Sequence, residues 1–391
     1  MAGTLLRLSG ADAALPRAST RDLLAADPAA EVYAETDYPA AAGWHPLRVL
    51  AGASHKLIRS SELEYYDLAD DPSESTDLGA TRTAAARAAV GRLAGYVETA
   101  SRAAPPSSEA QARLRALGYV SGPSASPRDD SAVNPARVID AWTRFERSAP
   151  VAASRQGLAA LATLVREHPD GYVFAAAYAR ALQDTGRHGE AVRVLRGAVD
   201  RFPAEPTLFH DLAVAARAAG DAAEAMRAEQ AALALDDANA AAHHGLGLLL
   251  VEAGRPGEAL GAFTRAVELD ASNAAYWADL GNAHRDDGDI RAADAAYGRA
   301  LQIDGAQADA ANGRGVLLVR AGRPADAVGW FERALAADPS LHEARLNLGI
   351  AYQHSGQYDL AQRTYREVLR TAPRSAARER QAAADLLASL R

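Results

Sequence analysis

The sequence contains no cysteine, which excludes disulfides, thiolate metal sites and a cysteine nucleophile together. Lysine occurs once, as Lys56, and no run of five or more basic residues exists. The formal net charge is −8 at pH 7. A phosphate backbone needs a clustered Lys/Arg face, so nucleic acid is not an expected partner. No apolar run approaches membrane-spanning length, and residues 1–20 lack a basic start followed by an apolar core. No membrane span and no export address is read from these residues, and the compartment stays open. Aromatic residues make up 6% of the chain, and no cluster of them argues for a carbohydrate groove.

What is present is ample apolar content, 49% hydrophobic against 24% charged, over 391 residues. That length exceeds one compact domain and suggests two regions. From Tyr172 onward a period of 34 is visible. Gly186, Gly220, Gly254, Gly288, Gly322 and Gly356 are one series; Ala191, Ala225, Ala259, Ala293, Ala327 and Ala361 are another. A third, all small, runs Ala179, Ala213, Gly247, Gly281, Gly315 and Gly349. Glycine enters the left-handed region at low cost, so each is expected to end the first helix of a unit in a tight turn. The small residues on either side let two helices approach closely. Phe263, Tyr297, Phe331 and Tyr365 are expected to fill the gap toward the next unit. Pro203, Pro339 and Pro373 are read as stops for the second helix, with Asp237, Ala271 and Gly305 in that place elsewhere.

This order of small residue, glycine, alanine and aromatic resembles the tetratricopeptide repeat. The resemblance covers six units over residues 172–375. Residues 136–171 read as a degraded seventh pair of helices, with Trp142 and Phe145 on one and Leu158, Leu161 and Leu164 on the other. A final helix over 376–391 is expected to cap the stack, with Leu386, Leu387 and Leu390 inward and Arg378, Glu379, Arg380 and Asp385 outward. The fold class is therefore mainly α, an α-solenoid of helix hairpins wound as a right-handed superhelix.

The resemblance implies a concave groove lined by the first helices, binding a protein or peptide segment. By position, its lining includes Arg180, His210, Arg217, His244, Glu252, Asn282, Arg285, Asn312, Arg320 and Gln353, with Asp286 and His354 beside them. Some family members grip a C-terminal carboxylate with a Lys–Asn pair one turn apart. The equivalent pairs here, such as His210/Val214 and Asn312/Val316, lack it, and that mode is not expected. His243 and His244 point about 100° apart on a helix, so they do not chelate one ion together. No cofactor and no metal is read.

Residues 31–68 read as β-rich: EVYAETD, LRVLA and HKLIR around a turn at Gly52, then LEYYDL. A helix follows over 81–101, with Val90, Leu93 and Val97 on one face and Thr81 or Thr83 as N-cap. A short helix, AQARLRALG, ends at Gly118, and the Ser/Pro/Asp stretch to residue 135 is a linker. From Glu62 to Asp77 seven acidic residues fall within sixteen positions. They are read as a solvated turn, because Asp70, Asp71 and Pro72 suit one.

EVYAETDYP, GWHPLRVL, HKLIR, ELEYYDLADDPSESTDLG and ARLRALGYVSG, in that order, resemble the C-terminal subdomain of sulfatase-like hydrolases of the alkaline-phosphatase superfamily. In bacteria such subdomains are sometimes followed by tetratricopeptide repeats. The resemblance implies that residues 1–122 form a small α+β subdomain that does not itself catalyse. The family's nucleophile stands in C/S-x-P-x-R beside Asp/Asn metal ligands, in a large half that would precede residue 1. Here Ser148 has the proline but no arginine, and HGE at 188–190 follows Arg187 rather than the family's Asp. Those three residues are expected in an inter-helix turn. Removal of the large half is expected to expose an apolar sheet face drawn from Val32, Leu47, Val49, Leu57, Ile58 and Tyr65, or to leave it to residues 1–28. The leading function is a non-enzymatic interaction scaffold. The alternative is the downstream part of a sulfate- or phosphate-ester hydrolase, a family that often works outside the cytoplasm.

Overall fold

A computed structural model describes residues 32–36, 47–81, 83–101, 139–374 and 376–390. The chain divides into two compact units, Met1–Glu190 with Asp200–Phe202, and Ala191–Val199 with Pro203–Arg391.

The first unit carries a four-stranded antiparallel meander in chain order: β1 (Val32–Thr36), β2 (Leu47–Ala51), β3 (His55–Arg59) and β4 (Leu63–Asp67). Its register pairs Leu50 with Leu57 and Leu57 with Tyr65. These three share one face, and α1 (Ala84–Ser101) covers it with Ala86, Ala89 and Leu93. Thr83 is the cap of α1, its Oγ1 accepting from the Ala86 amide at 3.1 Å. Thr81 instead donates to the Leu78 carbonyl in the preceding turn.

The expected apolar sheet patch is corrected by this register. Leu57 and Tyr65 lie in the core beneath α1. Val49 and Ile58, paired with each other, belong to the opposite face and are half-buried. Strand alternation thus takes Leu57 and Tyr65 out of the expected patch and leaves Leu47, Val49 and Ile58 together on the other face. Residues 1–28, the side chain of Val97, the helix at AQARLRALG and the linker lie outside the described residues.

Also in the first unit, α2 (Ile139–Ser148), α3 (Arg155–Glu167) and α4 (Tyr172–Asp184) enclose Leu161, Leu164 and Phe174. Trp142 and Phe145 pack against them, with the Phe145 and Phe174 rings 5.4 Å apart. After α5 (His188–Arg201), the second unit repeats one helix hairpin: α6 (Pro206–Ala218) with α7 (Ala222–Leu235), α8 (Ala240–Glu252) with α9 (Pro256–Leu269), and α10 (Ala274–Asp287) with α11 (Ile290–Ile303). Then follow α12 (Ala308–Arg320) with α13 (Pro324–Ala337), α14 (His342–His354) with α15 (Tyr358–Thr371), and α16 (Ala377–Ser389).

The series glycines act as the sequence predicts. All six have positive φ, from 71° to 90°. The amide after each reaches back five residues, as Asp221 N to Ala216 O at 2.9 Å and Arg255 N to Leu250 O at 2.8 Å, which satisfies carbonyls the helix end would orphan. The second helices end just ahead of the proline places, as expected, and four of these ends carry a further device. Asp236, Asp270, Asp304 and Asp338, themselves 34 apart, stand there. Each carboxylate accepts the amide two residues on, at 2.8–3.1 Å. Proline is therefore dispensable at that place.

The aromatic residues pack toward the next unit as expected, Phe263 with Tyr276 and Leu280, Tyr297 with Ala310 and Leu317, and Phe331 with Leu348 and Ala351. Phe263, Tyr297, Phe331 and Tyr365 also sit in notches of their own hairpins: a Cβ on Gly247, Gly281, Gly315 or Gly349 would stand 2.5–2.6 Å from the respective ring. Tyr297 additionally abuts Gly313 of the next hairpin. Tight packing at zero volume is what makes the glycine series obligatory there. At the end of the chain, Leu387 is buried, with Leu386 and Leu390 packed beside it. Arg380, expected outward, turns inward and donates from Nη1 to the carbonyls of Leu369 at 2.6 Å and Ala372 at 2.8 Å. It thereby caps α15, whose last carbonyls need donors.

Candidate binding site

The acidic stretch is a turn held by its own carboxylates. Asp71 accepts from the Thr76 amide at 2.7 Å and from the Ser73 and Ser75 hydroxyls at 2.9 and 3.0 Å. The Thr76 amide, above all, holds the Asp71 carboxyl below its usual range. Asp77 accepts from the amides of Tyr65 and Gly79, and Glu74 pairs with Lys56 at 2.6 Å. Among the described residues, no three His, Asp or Glu side chains converge as a metal-binding set. His243 and His244 diverge: one reaches the Asp237 carbonyl at 3.0 Å, the other Asp279 at 2.8 Å. His188–Glu190 do not lie in an inter-helix turn as expected. They open α5, where Arg187 forks onto Glu190 at 2.6 and 2.7 Å.

In the second unit, first helices of successive hairpins pack side by side, α6 with α8, α10 with α12, and α12 with α14. Many of the expected lining residues link them. Arg217 on α6 bonds Glu252 on α8 at 2.7 Å, and His244 on α8 bonds Asp279 on α10. Arg320 on α12 reaches the Arg285 carbonyl on α10 at 3.4 Å. Asn312 is buried and accepts from Asn347 at 3.0 Å while donating to Glu343 at 3.3 Å. Asn282 and Gln353 accept the hydroxyls of Tyr297 and Tyr365, each at 2.8 Å. Arg285 pairs with Asp286 at 2.9 Å. Arg180, on α4 of the first unit, is exposed.

One place on this face is hollow. A space of about 170 Å³ opens among α6, α7, α8 and α10, lined by His210, Val214, Arg217, Glu229, His244 and Tyr276 among others. Its floor is the carboxylate of Glu229, whose side chain is 1% exposed. His210 Nδ1 lies 3.0 and 3.1 Å from the two oxygens. When that carboxylate is ionised it only accepts, and Nδ1 is then the donor. Burial pushes the Glu229 carboxyl up. The hydrogen bond from His210 and the charges of His210 and His244 oppose that, and Asp211 adds to it. The His244 ring lies over Tyr276 with centroids 4.6 Å apart.

Sequence reading reached His210, Arg217 and His244 but missed Glu229. The signal was available. Glu229 occupies the repeat position of Phe263, Tyr297, Phe331 and Tyr365, so a carboxylate stands where the later hairpins place a ring. Gly245 is its counterpart: a Cβ there would lie 2.0 Å from Glu229 Oε1.

Comparison with known families agrees with this architecture. Residues 154–206, 210–274 and 278–342 match one family profile described as tetratricopeptide repeat, and residues 318–390 match a second of the same description. The chain belongs to the tetratricopeptide repeat family. Among solved structures, a tetratricopeptide repeat protein from Parabacteroides merdae is 13% identical with a TM-score of 0.51, over 64% of this chain and 99% of that one. MamA is 26% identical with a TM-score of 0.36, over 42% and 91%. YrrB, described as a tetratricopeptide repeat protein with an unusual peptide-binding site, is 20% identical with a TM-score of 0.36, over 45% and 91%. No curated protein matches the chain. Among the described residues of this repeat protein, no helix is long and apolar enough to cross a membrane.

Proposed function

We propose that this tetratricopeptide repeat chain is a protein-interaction scaffold, non-enzymatic itself, that holds an extended segment of a partner protein on its first-helix face. The observation that carries the reading is the hollow at His210, Glu229 and His244, the place on that face where space, charge and apolar wall coincide. Arg217, Glu252, Asn282, Arg285, Arg320 and Gln353 extend it along α6 to α14, with Asn312 beneath them as a brace. Arg180 would serve the preceding hairpin. In this reading residues 136–391 form the scaffold, and 1–122 form an accessory subdomain joined through 123–135. Selection of displayed random peptides on the full chain tests it. Peptides with micromolar affinity that weaken at least tenfold in His244→Ala and Arg217→Ala are expected. No selectable peptide, or binding indifferent to both changes, overturns it.

A second reading makes residues 1–122 the tail of a sulfate- or phosphate-ester hydrolase. It rests on the order of motifs in residues 31–122 that resembles that family. An in-frame hydrolase core with C/S-x-P-x-R in the DNA upstream would favour it over the first.

A further inference from the structure

We infer that the hollow over Glu229 is a receptor for one basic side chain, arginine or lysine, of the bound segment. This rests on the scaffold reading and adds the chemistry of the residue it selects.

The charges facing the hollow argue the sign. Glu229 is the carboxylate in its lining, and the lining residues Arg217 and His244 are each already paired with an acid outside it, Glu252 and Asp279. The cationic Arg217 on the wall is committed to Glu252. One ring nitrogen of His210 lies 3.0 Å from Glu229, and one of His244 lies 2.8 Å from Asp279. A carboxylate offers about four lone-pair sites, and His210 supplies one donor to Glu229, so acceptor capacity remains on the floor. A buried carboxylate is costly without charge-assisted partners, and a guanidinium or ammonium supplies them.

Shape argues the rest. Val214, Leu248 and Leu249 give an apolar wall for an alkyl stem. The space of about 170 Å³ is several times what one water needs, enough for one side-chain head. Its origin lies in the repeat: the preceding unit has Ala179 and Leu195 at these two positions, later units have glycine and a ring, and this one has Ala213 and Glu229. Alanine with glutamate leaves the notch open and charged.

The test titrates the full chain with four probes of similar size: butylguanidinium, butylammonium, butylurea and pentanoate. The readout is the ring proton resonances of His210 and His244. Saturable shifts with butylguanidinium or butylammonium at millimolar concentration are expected, with butylurea at least tenfold weaker and pentanoate silent. The preference should vanish in Glu229→Gln. It should vanish also in Glu229→Leu, which restores the apolar choice of the preceding unit and guards against misfolding. Thermal melts report folding of both. Equal binding of butylurea, a preference for pentanoate, or no saturable shift overturns the proposal. Selected peptides that bind the first-helix face yet tolerate Arg→citrulline and Lys→norleucine also sink it, while leaving the scaffold reading intact.

Discussion

The Glu229 carboxylate and the α-carbon of Gly245 touch so closely that a methyl group on Gly245 would stand 2.0 Å from Oε1. To make way the carboxylate must leave its seat against His210 and move toward the hollow. Gly245→Ala is expected to gain up to ~1 kcal/mol of helix propensity and to lose about 1–3 kcal/mol to overpacking, a net destabilisation. In a Glu229→Ala background the clash is gone, and the same change should stabilise. Urea denaturation of the four-membered cycle checks the sign reversal. Equal effects in both backgrounds would refute the contact.

Two helical glycines with opposite surroundings make a sharper pair. A Cβ on Gly281 would meet the Tyr297 ring at 2.5 Å, whereas one on Gly261 meets nothing within 4 Å. Tyr297 is fully buried, so its ring cannot swing aside. Gly281→Ala should cost about 1–3 kcal/mol, and Gly261→Ala should gain about 0.5–1 kcal/mol. Melting temperatures moving in opposite directions are the expected result.

The raised Glu229 carboxyl makes a pH prediction. Its folded value lies above its unfolded one, because burial outweighs the opposing His210 and His244. Between the two values the folded state binds more protons, so this group's contribution to stability is greatest below the unfolded value. It declines as pH rises through the folded one. Glu229→Gln abolishes that slope. The stability of the parent minus that of Glu229→Gln should therefore fall with rising pH from about 4.5, the ordinary glutamate value. A difference that rises with pH would contradict the assignment.

Arg380 offers a test of the C-terminal cap. Its guanidinium serves the carbonyls of Leu369 and Ala372, and charged hydrogen bonds of this kind contribute about 1.5–3 kcal/mol. Arg380→Ala should loosen α16 from α15, seen as lost amide-exchange protection in Ala383–Leu387. Protection should persist in α8. Unaltered exchange in α16 would show that Leu387 and Ala383 hold it alone.

The repeat was legible because its cause is local. A glycine at positive φ, an alanine at a crossing and a ring facing a notch are each set by a few residues, and a period of 34 copies them. The strands at LRVLA, HKLIR and LEYYD were legible for the same reason, since alternation and a turn suffice. Which sheet face α1 covers depends on register between strands, and the expected patch mixed both faces. The aspartates at four second-helix ends were visible as a series but masked by the more familiar proline.

What the amino-acid order decided alone is the hairpin, its length and its ends, because those depend on backbone conformation within one repeat. What only the packed structure decided is which polar side chains are already bonded within the stack. Asn312, Asn282 and Gln353 look alike on a helix surface, yet neighbouring helices bring Asn347 and the Tyr297 and Tyr365 hydroxyls within bonding distance of them. Glu229 reads in the chain as one more surface acid. Only the approach of α6 and α8 takes it out of water, because burial is a property of neighbours that arrive from distant parts of the sequence.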